Sequence, residues 1–191
     1  MSDVEDPNDY TGLHAFVFVH EVDPGANIRA VIDDVRGLGK PRMRFAAEVV
    51  GSYLGFAHVR TETLAEMHDL IAIDLWERGV HCSHAIEKDV AKQGERLIGA
   101  KRSTPEIIAL SRVRTRTGAL YDVLDMMAAE HGPLRRTFRG ASVVFGDFDI
   151  LLQLGGESYE EVADDAANAL QSIDGISGTD TAFIDGTRYE G

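Results

Sequence analysis

Gly146-Asp-Phe-Asp-Ile-Leu-Leu-Gln-Leu154 is a glycine turn followed by an apolar run, a pattern typical of a buried strand. The first half of the chain repeats this form in Gly51-Ser-Tyr-Leu-Gly-Phe-Ala-His-Val59. Amphipathic helices flank both stretches, because apolar residues there recur three and four positions apart. These residues are Ile28, Val31, Ile32 and Val35, Leu64, Met67, Ile71 and Leu75, Leu120, Val123, Leu124 and Met127, and Tyr159, Val162, Ala166 and Leu170. The sequence therefore predicts two copies of one small unit.

Each copy is predicted to run strand, helix, strand, strand, helix, strand. The bounds are β 13–22, α 25–38, β 42–50, β 52–60, α 63–77 and β 79–87 in the first copy, and β 106–116, α 117–130, β 136–145, β 147–155, α 158–172 and β 175–185 in the second. Gly79 and Gly175 suit left-handed caps at the ends of the second helices. We expect a flexible acidic tail over 1–10, a first unit over 11–88, a linker with room for a short helix over 89–104, and a second unit over 105–187.

A lone unit of this kind would leave one sheet face uncovered, because both helices lie on the other face. On that bare face, residues such as Phe16 and Phe18 would meet water. Two units with their sheets pressed together bury both faces, and fusion makes the contact intramolecular. The predicted fold class is α+β, with tandem ferredoxin-like βαββαβ units whose antiparallel sheets pack face to face as an intrachain dimeric α/β barrel.

Composition narrows the classes of function. The formal net charge of −13 argues against direct binding of nucleic acid, which relies on clustered Lys and Arg. The sequence has no run of about 18 apolar residues, so it predicts no membrane-spanning helix. The single cysteine, Cys82, favours a reducing cytoplasm over a disulfide framework. No nucleophile elbow, phosphate-binding glycine loop or dinucleotide fingerprint is present.

The second copy closely resembles the effector domain of Lrp/AsnC transcription regulators, over about 106–185. The resemblance lies in Glu130-His-Gly-Pro-Leu-Arg-Arg-Thr-Phe-Arg139, Val143-Val-Phe-Gly-Asp-Phe-Asp-Ile-Leu-Leu152, Leu170-Gln-Ser-Ile-Asp-Gly-Ile176 and Thr179-Asp-Thr181. It implies a non-catalytic module that senses an amino-acid-like effector, forms homo-oligomers and acts through a DNA-binding regulator. The first copy departs from the pattern in its turn, Gly51-Ser-Tyr-Leu54. We expect no helix-turn-helix in this chain, because about a dozen polar residues precede the first strand.

The resemblance implies an effector-binding site at the boundary between the units. Its residues would be Gly146, Asp147, Phe148, Asp149, Thr179 and Thr181. A simpler interpretation is also open, in which the glycine and the aspartates only form a tight turn. Alternating threonines are likewise typical of any strand.

The histidines suggest an alternative. His14 and His20 are an even number of residues apart and face one side of the first strand, and His58 lies on its expected neighbour. Such a cluster is what a metal or haem site needs, and a dimeric α/β-barrel enzyme, monooxygenase-like or haem-binding, would use it. Because no paired Cys/His spacing supports a metal, the favoured expectation is no metal, no cofactor and no catalytic residue. A purely structural assembly domain is a third possibility.

Overall fold

The computed structural model describes residues 12–25, 27–37, 43–93 and 107–184. The first half contains β1 (Leu13–Val22), α1 (Ile28–Arg36), β2 (Met43–Gly51), β3 (Gly55–Thr61), α2 (Leu64–Asp69, continued by a π-helical segment, Leu70–Leu75) and β4 (Val80–Gln93). The second half contains β5 (Ile107–Thr115), α3 (Leu120–Ala128), β6 (Phe138–Phe145), β7 (Ile150–Gly156), α4 (Tyr159–Asp164, continued by Asp165–Ala169 and Leu170–Ser172) and β8 (Ile176–Ile184). Within the described ranges, the predicted order of strands and helices therefore occurs twice.

All eight of these strands form one closed antiparallel barrel, in the order β1-β3-β2-β8-β5-β7-β6-β4. Two seams join the halves. At one seam Val49 to Gly51 of β2 pair with β8, and at the other Ile86 of β4 pairs with Phe145 of β6. The fold is thus α+β, as predicted. The halves do not merely press together, because backbone hydrogen bonds connect their edges into a continuous sheet whose inner faces enclose one interior.

The barrel interior is an apolar cluster built from alternate residues of the strands. Its buried members are Phe16, Phe18, Ala47, Val49, Tyr53, Phe56, Ala85, Ile108, Leu110, Val144, Phe148, Leu151, Ala182 and Ile184. The other residues of each strand face outward and pack under the helices in two further clusters. Ile32, Met67 and Leu70 cover the first half, and Val123, Leu124 and Leu170 cover the second. These residues lie on the helical faces that the sequence predicts to be buried, although two residues of those faces, Leu64 and Tyr159, are 60% and 58% exposed.

Helix ends follow their local sequence. Thr63 caps α2 and Ser158 caps α4, in each case by accepting a hydrogen bond from a backbone N–H of the first turn. Gly79 and Gly175 have φ angles of 72° and 92°, which confirms the predicted left-handed conformation after each second helix.

Several boundaries differ from prediction. α1 covers Ile28–Arg36 rather than 25–38, and β4 continues to Gln93 into the predicted linker because it pairs with β6 along this length. The predicted tail over 1–10, the rest of the linker and the end of the second unit lie outside the described residues. No helix in the described ranges is long and apolar enough to cross a membrane. The division into domains stays a prediction.

Candidate functional site

Three ionisable side chains meet inside the barrel on neighbouring strands. His14 shares the inner face of β1 with Phe16, His58 shares that of β3 with Phe56, and Glu87 lies two residues after Ala85 on β4. β1 pairs with both β3 and β4, so the three positions are adjacent in the sheet. His14 is 4% exposed and His58 is 7% exposed, which is unusual for a side chain that can carry a charge. The two histidine rings and the Glu87 carboxylate form what we call the His–His–Glu cluster.

Hydrogen bonds hold this cluster together. His14 Nδ1 lies 3.0 Å from His58 Nε2, so one of the two ring nitrogens donates to the other. Ser142 of β6 donates from its Oγ to Glu87 Oε1 over 2.5 Å, across the seam between the halves. One ligating atom from each of His14, His58 and Glu87 can be chosen so that all lie within 4.8 Å of one another. The cluster is therefore pre-formed on strands and anchored from both halves of the chain.

An aromatic ring packs beside the cluster, and the barrel interior also contains a buried amide. The Phe16 ring lies 4.9 Å from the His58 ring, centroid to centroid. Gln153 shares the inner face of β7 with Leu151, is 3% exposed, and has a buried Oε1 with no hydrogen-bond partner among the described residues. A buried carbonyl oxygen that accepts no hydrogen bond destabilises the fold. No donor among the described residues reaches the Gln153 amide oxygen in the barrel interior.

A second polar group lies toward the other end of the barrel. Arg112 of β5 donates from Nη2 to Asp180 of β8, and Ser52 donates to the other oxygen of the same carboxylate. The Arg112 guanidinium carbon lies 5.1 Å from the Phe18 ring centroid, 5.0 Å from that of Tyr53 and 6.0 Å from that of Phe148. This ion pair therefore closes the aromatic interior at that end.

Electrostatics at this end follow from burial and from the ion pair. Burial alone would raise the pKa of Asp180, but hydrogen bonds from Ser52 and Arg112 outweigh it, so the pKa is lowered. Burial, assisted by the Arg112 charge, lowers the pKa of His20, although Asp180 and Asp147 oppose the shift. Burial raises the pKa of the Tyr53 phenol, whose hydroxyl donates to the Leu110 carbonyl.

The residues predicted for an effector site do not all meet. Phe148 is 4% exposed and packs edge-on against Phe18 inside the barrel. Asp149 Oδ2 accepts from the Thr115 backbone N–H at 2.7 Å and from its hydroxyl at 3.1 Å. The Asp147 carbonyl accepts from Arg114, and a side chain on Gly146 would approach Ala85. These four residues thus build the turn between β6 and β7 and close the end of the barrel.

The two predicted threonines lie elsewhere. Thr181 bonds the Ser111 hydroxyl at 2.7 Å, and both face outward toward the helices, as Phe183 does. Thr179 pairs with the outward-facing Val113. The structure therefore places Thr179 and Thr181 on the opposite face of the sheet from Phe148.

Of the three histidines suggested by the sequence, the structure brings together two. His20 lies toward the Arg112 end, where its Nε2 is 2.6 Å from Ser83 Oγ. Sequence reasoning missed Glu87, which was the last residue of the predicted strand and was given no role. The signal was its even spacing from Ala85, which places both on one strand face.

The His14–His58 pair cannot hold a haem between its two rings. Haem iron takes its axial protein ligands on opposite faces, with donor atoms about 4 Å apart and the porphyrin between them. The two ring nitrogens here are 3.0 Å apart and directly bonded, and Phe16 packs beside them. These three residues suit a small cation or a proton instead.

The chain shares its fold with solved structures of very different sequence. An anthrone oxidase-like protein matches with a TM-score of 0.57 at 10% identity over 92% of each chain. A candidate chlorite dismutase matches at 0.54 and 8% identity, over 92% of this chain and 96% of the other. A candidate monooxygenase from Fusobacterium nucleatum subsp. nucleatum matches at 0.53 and 7% identity, over 92% of each. No family model matches the sequence, and neither does any curated protein.

These matches correct the sequence-based interpretation. The relation to Lrp/AsnC effector domains is wrong, and so are the non-catalytic sensing function and the link to transcription regulation, because the matching structures are named as oxidative enzymes. The residues that carried the resemblance to effector domains have local structural roles in turns and at helix ends. Asp149 caps a turn and Gly175 ends a helix with a positive φ, and residues of these types serve such turns and helix ends in many folds. What the comparisons establish for this chain is the barrel fold.

Proposed function

We propose that this chain is an enzyme that oxidises a small organic molecule at the His–His–Glu cluster. The proposal is carried by one observation: two buried histidines and a carboxylate converge inside the barrel, held by Ser142 from the opposite half. Buried ionisable groups that face one another are typical of reactive sites. Names of the structural neighbours, an oxidase-like protein and a monooxygenase candidate among them, support oxidation as the class of reaction.

The cluster is suited to accept positive charge from a substrate. In the shared His14–His58 hydrogen bond, the ring that donates its N–H is a neutral imidazole, so its second nitrogen carries a lone pair that can accept a proton. The Glu87 carboxylate stabilises a positive charge placed beside it. A substrate hydroxyl can therefore pass its proton to this cluster, and the electron-rich anion that remains can give two electrons to dioxygen. Dioxygen takes these two electrons as it bonds to a ring carbon, and the proton returns to it, which gives a hydroperoxide. Loss of water, made from the hydrogen on that carbon and the outer O–H group, then leaves one oxygen atom in the product as a carbonyl.

The aromatic residues of the barrel interior indicate the class of substrate. Phe16, Phe18, Phe45 and Phe56 supply aromatic surface to the interior, and rings stack well on such surfaces. We propose a planar aromatic compound that carries an ionisable hydroxyl group. The reading of the fold as two tandem ferredoxin-like units belongs to this proposal, and rests on the repeated strand order. A cytoplasmic location and homo-oligomer formation are proposed on the sequence alone.

Oxygen consumption tests the proposal. The full chain is incubated with a panel of polycyclic and simple phenols, and dioxygen uptake and peroxide are measured. We expect uptake with at least one compound, reduced at least about 100-fold by His58→Asn or Glu87→Gln, because general acid–base groups contribute about 10²–10⁴-fold. His68→Asn is the matched control, since that side chain is 71% exposed. Uptake that is equal in the control and in the cluster variants would contradict the proposal, provided that circular dichroism shows all of them folded.

A further inference from the structure

We propose that the His–His–Glu cluster binds one divalent first-row transition-metal ion, with His14, His58 and Glu87 as its protein ligands. The role of the metal in oxidation rests on the proposed function, but its binding does not and can be measured without turnover.

The geometry is close to that of a metal site. Imidazole nitrogens bind Zn²⁺ and related ions at about 2.0–2.1 Å, so adjacent ligand atoms lie about 3.0–3.4 Å apart. The His14 Nδ1 to His58 Nε2 distance of 3.0 Å falls in this range. The full set lies within 4.8 Å, so the carboxylate needs to move by at most about 1.4–1.8 Å to complete the site. An ion would replace the proton that the two rings now share.

The net charge of the three side chains and the hydrogen bond that orients Glu87 also favour a cation. Two neutral imidazoles and one carboxylate carry a net charge of about −1, which a cation bound between them would offset. Ser142 orients Glu87 from the opposite side of the seam, as second partners commonly orient metal ligands. All three proposed ligands lie on paired strands, which hold their positions better than loops do.

The donor set indicates which ions fit. Two imidazole nitrogens and one carboxylate oxygen, with the remaining positions open, are the ligands used by non-haem Fe²⁺ oxygenases and by catalytic Zn²⁺ sites. Hard ions such as Mg²⁺ and Ca²⁺ prefer oxygen ligands only. We therefore expect binding of Fe²⁺, Co²⁺ and Zn²⁺, and no competition from Mg²⁺ at equal concentration.

Titration of the metal-free full chain with Co²⁺ tests the inference. We expect a visible absorption band that saturates at one ion per chain, and a Tm increase of about 5–10 °C at an ion concentration about 100-fold above Kd. His58→Asn and Glu87→Gln should each weaken binding by more than about 100-fold, and Ser142→Ala by about 10-fold. His68→Asn should bind as the parent does.

Glu87→Gln keeps the shape of the side chain and its contact with Ser142, so it remains informative if a histidine variant fails to fold. Absence of the band in the parent chain, or an equal band in Glu87→Gln, overturns the metal site. The two proposals fail separately. Oxygen uptake that needs His58, in a chain that gives no Co²⁺ band, would reject the metal site and keep the enzyme, whereas metal binding with no oxygen uptake would do the reverse.

Discussion

Replacement of Asp180 by Asn tests how the Arg112 end of the barrel is stabilised. The substitution keeps the size of the side chain and an oxygen that can accept from Ser52, but it removes the charge that faces Arg112. The guanidinium would then remain among the rings of Phe18, Tyr53 and Phe148 without a counter-charge. We expect a clear loss of stability.

Exposure sets the magnitude of this loss. Breaking a fully buried ion pair from one side costs about 3–5 kcal/mol, whereas an exposed pair contributes about 0–1 kcal/mol. The Arg112 side chain is 12% exposed and that of Asp180 is 23% exposed, which places the pair nearer the buried limit. We therefore expect the free energy of unfolding to fall by about 2–3 kcal/mol, and Tm to fall by about 5–10 °C in a chain of this size.

The effect should depend on pH with a definite sign. The pKa of Asp180 is lowered in the fold, whereas an unfolded aspartate titrates near about 3.9. Its stabilisation is therefore fully present above about pH 4 and is lost as pH falls through the lowered folded pKa. Asp180→Asn should remove this acid-dependent part and flatten the stability profile below about pH 4.

Urea denaturation across this pH range is the measurement, and Asp174→Asn is the matched control. Asp174 pairs with Arg116 at 3.0 Å, but the two side chains are 88% and 64% exposed. The control should change stability by less than about 0.5 kcal/mol. If Asp180→Asn is no more destabilising than this control, burial of the Arg112 pair does not matter and the reasoning fails.

Three further perturbations test the barrel. Phe18→Ala, at a fully buried ring, should lower the free energy of unfolding by about 3–5 kcal/mol in urea, and a loss below about 1 kcal/mol would show that the interior is not tightly packed. Burial raises the pKa of the Cys82 thiol to about 11. A disulfide reagent at about pH 8 should therefore label the native chain about 100-fold more slowly than the unfolded chain, and equal rates would contradict that burial. Gly51→Ala should lower the free energy of unfolding by about 2–4 kcal/mol and speed amide exchange at Ala182. The reason is that Gly51 has a φ of 152° and that a Cβ there would lie 2.7 Å from the Thr181 carbonyl oxygen. Unchanged exchange would mean that the seam between β2 and β8 lies elsewhere.

The sequence contains most of the information on the elements. Apolar spacing correctly identified the buried faces at Ile32, Leu124 and Leu170, and glycine marked the helix ends at Gly79 and Gly175. Periodicity is local, and local patterns determine which side of an element is buried.

The seams and the cluster could not be predicted in the same way. Pairing of Val49 with Ile184 depends on contacts between distant parts of the chain, for which no local pattern exists. Glu87 meets His14 and His58 only because β4 pairs with β1, and its identity as a charged residue near a linker favoured a solvated position. The sequence motif was least informative at the Gly146–Asp149 turn, because the same residue types form a tight turn whether or not a ligand binds there.

Divergence of the two copies explains why the described strands hold one such cluster and not two. Register makes Phe16 of β1 oppose His58 of β3, and in the second half it makes Leu110 of β5 oppose Gln153 of β7. Gln153 thus takes the position of His58. By the same register, Ile108 lies at the position equivalent to His14, and Ile184 lies at the position equivalent to Glu87. Both isoleucines are buried.

A barrel made from two identical chains would repeat every site, because symmetry imposes the same residues on both halves. Fusion removes that constraint. One half can keep a polar, reactive interior while the other replaces it with isoleucine and so avoids burying a second set of charges. The amide of Gln153, with its unsatisfied Oε1, is the polar group that remains at the equivalent position. The expected stoichiometry is therefore one ion per chain. Two equivalent ions would mean that the second half retains a site that Ile108 and Ile184 cannot form.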